Sequence, residues 1–222
     1  MLSTKRRARH KIVVTMRLLI LFILGLSLFG QNKLTKEEKK AGFKLLFDGK
    51  TLKGWEGEAD LWSVAGGELI GNTDKRKIPH NTFLILGKEF GDFELRLDMK
   101  IRNHNSGVQF RSERLPEFVV KGLQADAADK NWWGGVYDEK GTRGIMVNGW
   151  KGKAETVVKN GEYNSMILRA KGPKIEITIN GLKTSELEDP TKLSGIIALQ
   201  LHAGPGMEAR FRNIRILDLS KK

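Results

Sequence analysis

Residues 93–102 read FELRLDMKIR, and this stretch decides the fold class. Apolar side chains such as Phe93, Leu95 and Leu97 alternate along it with charged ones. Successive side chains of a strand point to opposite faces, so this alternation predicts a half-buried strand of an antiparallel sheet. We therefore predict an all-β protein built around this strand.

The sequence on both sides has the same strand-and-turn character. Residues 174–180 repeat the alternation and end in Asn180-Gly181, a hairpin signal, and Gly66-Gly67 marks another hairpin. The other predicted strands are Phe43–Phe47, Thr82–Leu86, Ser106–Arg111, Gly122–Asp126, Tyr163–Ala170, Gly195–His202 and Met207–Leu219, the last with a bulge near Asn213. Many short strands at close spacing, with 25 glycines, predict a jelly-roll β-sandwich of two antiparallel sheets.

The length of 222 residues fits one β domain. Thr35 as an N-cap, with Glu38 three residues later, predicts a short lead-in helix within residues 31–42. We place the sandwich domain at residues 43–222. The sequence has no Cys, so disulfides and thiolate chemistry are excluded.

The N-terminus has the pattern of a secretory signal peptide. The apolar run Leu18–Phe29 follows a basic segment and is shorter than the roughly 20 residues that a membrane-spanning helix needs. We predict a signal peptide at residues 1–30, with Met16 as an alternative start. The expected location is periplasmic or secreted, with no stable membrane anchor after cleavage; an uncleaved anchor is the alternative.

The formal net charge of +13 is partly due to this leader. Six of the 39 basic residues precede Leu18, where there is no acidic residue, which leaves 33 basic against 26 acidic residues. The remaining charges are interspersed and indicate a solvated surface, so we do not expect a nucleic-acid partner.

Three predicted strands carry paired hydrogen-bonding side chains on one face. Residues at i and i+2 share a face, and the pairs are Gln109 with Arg111, Gln124 with Asp126, and Gln200 with His202. Such groups suit sugar hydroxyls, which both donate and accept hydrogen bonds. The aromatic residues that follow Asp126 provide a platform for the apolar face of a sugar; they are Trp132, Trp133 and Tyr137. The alternative for each pair is an ordinary exposed strand surface.

His202, at a strand end before Ala203-Gly204-Pro205-Gly206, is the best acid/base candidate among the four histidines. Its alternative is a structural histidine. Asp138 and Glu139 form an acidic pair of the kind used by glycosidases. A turn is the favoured interpretation of Glu139, and Asp138 is left open. One histidine near one carboxylate is weak support for a metal site, and no metal ligand is predicted.

The order of these segments resembles the 3-keto-disaccharide hydrolase domain family, a concanavalin A-like lectin/glucanase sandwich of exported bacterial proteins. The resemblance covers about Gly42 to Leu219. It is carried by residues 42–52 (GFKLLFDGKTL), 54–55 (GW), Trp62 with Val64, 67–71 (GELIG), 93–95 (FEL), 105–108 (NSGV), 110–111 (FR), 122–126 (GLQAD), 132–139 (WWGGVYDE), 195–202 (GIIALQLH) and 211–214 (FRNI). The family often has an aromatic residue where this chain has Leu123, so one sugar-stacking contact is weaker in this chain.

The resemblance implies cleavage of glycosides that carry a ketone at C3. The ketone acidifies the hydrogen at C2, a base removes it, the glycosidic oxygen leaves, and water adds. Arg111 and Gln124 are the residues implied to polarise or orient sugar oxygens, and Asp126 and His202 are the acid/base candidates. The remaining predicted substrate-binding residues are Asn105, Gln109, Trp132, Trp133, Tyr137, Asp138 and Gln200.

The expected ligand is an oxidised disaccharide or glycoside, and no cofactor is predicted, although a divalent metal is left possible. The alternative function is a non-catalytic carbohydrate-binding module on the same sandwich. An ordinary glucanase would need two opposed carboxylates on one strand motif of the type Glu-x-Asp-x-x-Glu, which this sequence lacks.

Overall fold

The computed structural model describes residues 31–220, and the predicted signal peptide lies outside these residues. Fifteen strands and one α-helix occupy the described range. They are α1 (Lys36–Ala41), β1 (Lys44–Leu45), β2 (Trp55–Glu56), β3 (Trp62–Ala65), β4 (Glu68–Asn72), β5 (Thr82–Phe90), β6 (Phe93–Arg102), β7 (Asn105–Arg114), β8 (Val120–Ala128), β9 (Val136–Glu139), β10 (Gly144–Val147), β11 (Asn164–Lys171), β12 (Lys174–Ile179), β13 (Leu182–Glu188), β14 (Gly195–Leu201) and β15 (Glu208–Asp218). A 3₁₀ helix covers Ala154–Thr156.

The strands form two antiparallel sheets packed face to face. The back sheet has the order β13-β12-β11-β6-β15-β4-β3, with β1 also paired to β15. The front sheet has the order β10-β9-β8-β7-β14-β5-β2. The predicted all-β jelly-roll sandwich with a short N-terminal helix is confirmed. No helix within residues 31–220 is long and apolar enough to cross a membrane.

The helix α1 has the cap that the sequence predicts. Thr35 Oγ1 accepts a hydrogen bond from the Glu38 amide at 3.1 Å, and the Glu38 carboxylate accepts one from the Thr35 amide at 3.1 Å. The helix ends at Gly42, whose φ of 96° is the left-handed conformation favoured by glycine. Glu38 also accepts a hydrogen bond from Arg215 on β15, which fastens the helix to the back sheet.

The core lies between the sheets, and β6 shows why the strands form. Its residues Phe93, Leu95 and Leu97 are at most 1% exposed, and burial of each such side chain contributes about 1.5–3 kcal/mol. The charged residues between them lie on the outer face, where Glu94 and Asp98 pair with arginines of neighbouring strands. The predicted bulge of β15 is present, with a register shift between Arg212 and Arg215.

The outer face of the front sheet is divided into an apolar half and a polar half. Phe83, Ile85, Val120 and Ala198 form a small apolar cluster against which Phe118 packs. The Phe83 amide donates to the Phe118 carbonyl at 3.0 Å, so the loop at residues 115–119 lies over this half. The polar half remains open, and it carries the candidate site.

Candidate functional site

A cleft of about 270 Å³ opens on the polar half of the front sheet. Strands β7, β8, β9 and β14 and the segments that flank them contribute its walls. The lining residues are Asn81, Asn105, Gln124, Asp126, Trp132, Tyr137, Glu139, Ile145, Gln200 and His202.

Strand register brings these side chains to one face. Gln124 on β8 lies opposite Gln109 on β7 and Tyr137 on β9, and directly opposed residues of paired strands share a face. Asp126 lies opposite Gly107. A Cβ at Gly107 would lie 2.7 Å from both Cγ and Cδ of Gln124, so the missing side chain provides the space that Gln124 occupies.

A chain of side-chain hydrogen bonds fixes the floor of the cleft. The Ser112 hydroxyl donates to Gln109 Oε1 at 2.8 Å, and Gln109 Nε2 donates to Gln124 Oε1 at 2.9 Å. Gln124 Nε2 then donates to Asp126 Oδ1 at 2.7 Å and to Gln200 Oε1 at 3.2 Å. Both N–H groups and the carbonyl oxygen of Gln124 are engaged, so its amide has a fixed orientation.

The same chain continues to a second carboxylate. Gln200 Nε2 donates to Glu139 Oε2 at 3.3 Å, and Asn81 Nδ2 donates to Glu139 Oε1 at 3.1 Å. Asn81 is itself held by the Ala203 amide, which donates to its Oδ1 at 2.9 Å. Asp126 and Glu139 are therefore two ends of one connected network.

Burial makes both carboxyl groups weaker acids than usual. It raises the pKa of Asp126 to about 6, an effect opposed by hydrogen bonds from Gln124 and Asn105 and supported by the nearby charge of Glu139. Burial also raises the pKa of Glu139, against hydrogen bonds from Asn81 and Gln200. Carboxyl groups whose pKa values are raised by burial are suited to general acid–base catalysis.

His202 lies at the wall of the cleft. A hydrogen bond fixes the tautomer of its neutral imidazole, and the ring stacks on another histidine. The Nδ1 atom of His202 is 2.6 Å from the Ala203 carbonyl oxygen, so Nδ1 carries the proton in the neutral ring and Nε2 is left as an acceptor. The ring stacks on His104 with a centroid distance of 4.3 Å. Burial and the neighbouring His202 lower the pKa of His104.

Two exposed apolar side chains form the rim of the cleft. Trp132 is 41% exposed and Ile145 is 53% exposed, whereas large apolar residues are mostly buried in this protein. An aromatic ring beside directed polar groups is the combination that binds a sugar ring, whose C–H face stacks while its hydroxyls form hydrogen bonds.

The family described as the 3-keto-alpha-glucoside-1,2-lyase-like domain matches residues 42–217 of this sequence. The chain belongs to this family. The resemblance deduced from the sequence is confirmed, and family membership gives the protein a carbohydrate-related function. No curated protein matches the sequence.

Solved structures share the fold of this family member. Two are described as a "putative glycosyl hydrolase" from Parabacteroides distasonis. One is 24% identical with a TM-score of 0.67 and covers 86% of this chain and 100% of its own. The other is 24% identical with a TM-score of 0.59 and covers 80% and 99%. A carbohydrate-binding module, CBM66 from Bacillus subtilis, is 16% identical with a TM-score of 0.57 and covers 73% and 94%.

The cleft brings together seven of the residues predicted from the sequence. These are Asn105, Gln124, Asp126, Trp132, Tyr137, Gln200 and His202. Gln109 lies beneath them, fully buried, and contacts Gln124 instead of the open cleft. Gln109 is therefore placed to position another side chain and has no exposed surface for a ligand.

Arg111 is not in the cleft, which corrects its predicted role. A bulge interrupts β7 between Phe110 and Glu113, and Arg111 has a φ of 47° there, so the alternation does not continue past Gln109. The fully buried guanidinium donates to the carbonyls of Gly172 (2.7 Å) and Gly91 (3.3 Å). These contacts fasten the connection between β5 and β6 and the turn between β11 and β12.

Trp133 and Asp138 also lie away from the cleft. Trp133 is 2% exposed in the core, and its Nε1 donates to the Ala128 carbonyl at 2.6 Å. Asp138 lies opposite Leu123 on the core-facing side of β9 and accepts a hydrogen bond from Arg143 at 2.9 Å. Each is held in place by structural contacts.

The sequence interpretation did not assign three of the lining residues to the site: Asn81, Glu139 and Ile145. The turn interpretation of Glu139 is wrong, because Glu139 is the last residue of β9. Its i+2 relation to Tyr137 is a signal that could have placed both on one face. Asn81 precedes β5 and reaches Glu139 across 58 positions of sequence, for which no local pattern exists.

The residues of the cleft do not fit a metal site. Asp126 and Glu139 accept hydrogen bonds from the amides of Gln124, Asn81 and Gln200. Across residues 31–220, no three His, Asp or Glu side chains are grouped so that they could hold a metal ion.

Proposed function

We propose that this protein is an exported enzyme that cleaves 3-keto-glycosides, including 3-keto-disaccharides, by removal of the C2 proton followed by elimination and hydration. The observation that carries the proposal is the pair of carboxyl groups, Asp126 and Glu139, joined through Gln124 and Gln200 in one cleft. The predicted signal peptide supports a periplasmic or secreted location.

The proposed chemistry needs a base of moderate strength. With a pKa of about 6, Asp126 is ionised at pH 7 and still has appreciable proton affinity. It removes the proton at C2, and the electrons of that bond form an enolate with the C3 oxygen. As the C3 ketone re-forms, a C1–C2 double bond forms and the bond from C1 to the glycosidic oxygen breaks. Water then adds across the double bond, which completes a net hydrolysis.

The leaving oxygen needs a proton, and we assign Glu139 as its donor. Burial favours the protonated form of Glu139 by raising its pKa. His202 offers Nε2 as a hydrogen-bond acceptor for a sugar hydroxyl. Gln124 has both N–H groups bound to protein oxygens, so it orients Asp126 and Gln200 and is not the group that polarises the ketone.

A carbohydrate-binding module without catalysis is the second candidate. The fold shared with CBM66 from Bacillus subtilis favours it, because that sandwich serves binding in the protein named. The same polar face and the exposed Trp132 would bind a sugar in either case. The carboxyl pair with raised pKa values favours the enzyme.

Incubation of the mature protein with 3-keto-maltose and 3-keto-trehalose tests the proposal. We expect release of glucose together with a 3-keto-monosaccharide or an unsaturated ketone that absorbs in the ultraviolet. Asp126→Asn and Glu139→Gln should each lower kcat by at least about a hundredfold, the range of general acid–base contributions. Asp60→Asn, an exposed acid outside the cleft, is the matched control.

Binding of these sugars without any product would support the binding module. Turnover by Asp126→Asn and His202→Ala at the rate of the unmodified protein would show that this cleft is not the site.

A further inference from the structure

A second groove, of about 320 Å³, adjoins the central cleft. Both are lined by Trp132 and Asn105, so these two residues form the boundary between them. The groove is completed by the end of β8, the loop that follows it and the residue before β7. Its other lining residues are His104, Ala128, Asp129, Lys130 and Asn131.

Three polar side chains of this groove differ from those of the cleft in being unengaged. Asp129, Lys130 and Asn131 form no side-chain hydrogen bond or ion pair with any of residues 31–220. In the cleft, by contrast, the side chain of Gln124 has a protein partner on every polar atom. The groove thus offers a carboxylate, an ammonium group and an amide beside the exposed face of Trp132.

The loop that carries these groups is held firmly by backbone contacts. The Gly134 amide donates to the Asp126 carbonyl at 2.9 Å, and the Asp129 amide donates to the His104 carbonyl at 2.8 Å. Trp133 anchors the loop in the core through its bond to Ala128. Because these contacts already order the backbone of the loop, binding of a ligand requires ordering of side chains only.

We propose that this groove is a second sugar subsite, which binds the neutral sugar residue linked to the ring in the central cleft, with Trp132 as the wall between the two rings. The inference rests on the proposed function for the identity of the first ring. Small-molecule sites span about 300 to 1,000 Å³, so the cleft alone suits one ring and the two cavities suit two. One carboxylate and one ammonium group leave the groove without net charge, which suits a neutral sugar.

Asn131→Ala tests the subsite, since its side chain lines the groove and not the cleft. Loss of a neutral hydrogen bond costs up to about tenfold in affinity. We expect kcat/KM for 3-keto-maltose to fall by about tenfold more than kcat/KM for methyl 3-keto-α-glucoside, which has no second ring. Asn160→Ala, an exposed asparagine in another loop, is the matched control. An equal change for both substrates would overturn the subsite.

Calorimetry measures the affinity of the protein for unoxidised maltose and for methyl α-glucoside. Because binding of these sugars requires no turnover, it tests the subsite separately from the proposed function. If the unmodified protein turns over neither 3-keto substrate, tighter binding of maltose than of methyl α-glucoside, with the difference lost in Asn131→Ala, would still support the subsite. Equal affinity for the two ligands, or no binding of either, would overturn it.

Discussion

Gln124 Nε2 lies 2.7 Å from Asp126 Oδ1, and the two residues occupy alternate positions of β8 on the same face of the sheet. This hydrogen bond orients the carboxylate and favours its charged form. Burial has the larger and opposite effect, so the pKa of Asp126 is raised to about 6. The hydrogen bond and burial together give Asp126 a fixed position and a higher proton affinity than that of a solvated carboxylate.

The first prediction concerns the pH dependence of turnover. Asp126 acts as a base only when ionised, so kcat/KM for 3-keto-maltose should rise with pH through about pH 6, and it should fall again at higher pH once Glu139 loses the proton that it donates. A series of initial rates between pH 4.5 and pH 8 would measure the rising limb. A rate that stays constant between pH 5 and pH 7 would contradict the assignment of Asp126 as the base.

The second prediction is that Asp126→Asn stabilises the fold at neutral pH. The native pKa of Asp126 lies above its ordinary value of 3.8, so the folded state binds more protons than the unfolded state between these values. Stability therefore falls as pH rises through that window. Allowing for the partial exposure of Asp126, removal of its charge should gain about 1–2 kcal/mol at pH 7.

Urea unfolding of both proteins at pH 7 and pH 4 measures this gain. The difference should nearly vanish at pH 4, where native Asp126 is protonated. An equal difference at the two pH values would show that the gain does not come from the ionisation of Asp126.

The third prediction uses the close approach at Gly107. A methyl group there would overlap Gln124, so Gly107→Ala should displace the amide and lower kcat/KM by about tenfold or more, with a loss of about 1–3 kcal/mol of stability from overpacking. Gly87→Ala is the control, because its nearest heavy atom would lie at an ordinary 3.7 Å. Similar activities of the two variants would contradict the positioning role of Gln124.

The fourth prediction separates structural from catalytic roles at Arg111. Arg111→Met leaves the carbonyls of Gly91 and Gly172 without their donor and removes a partner of Asp92, so the free energy of unfolding should fall by about 2–4 kcal/mol. Turnover per folded molecule, measured at 15 °C, should remain within about threefold. A hundredfold loss in a fully folded variant would restore Arg111 to the catalytic machinery.

Local alternation was sufficient to predict the sandwich and much of the cleft. In β8, an unbroken period of two puts Gln124 with Asp126. In β14, beyond a register shift between Ile196 and Ala198, the same period puts Gln200 with His202, the residue after the strand, and the structure gathers all four in the cleft. It fails at Arg111, because the β7 bulge reverses the side-chain direction. The contacts of Arg111 with turns at Gly91 and Gly172 are distant in sequence, so no local pattern indicates the bulge.

Glu139 illustrates the same limit for the chemistry. A carboxylate followed by Lys140-Gly141 has turn character, yet pairing of Glu139 with Gly122 across the hairpin extends β9 to include it. Its pKa is raised by burial, which outweighs the hydrogen bonds from Asn81 and Gln200, and these two residues come from other strands or loops. Tertiary contacts therefore determine both the position and the proton affinity of Glu139.

The loop that lies over Phe83 and Ile85 has a consequence for the length of the substrate. These two residues of β5 are at most 1% exposed, so the open face ends at β14 on that side. A polysaccharide that ran across the whole sheet would have to displace Phe118 and its apolar cluster. We expect the proposed activity to be confined to chain ends and short glycosides, with the interior linkages of long polymers left intact.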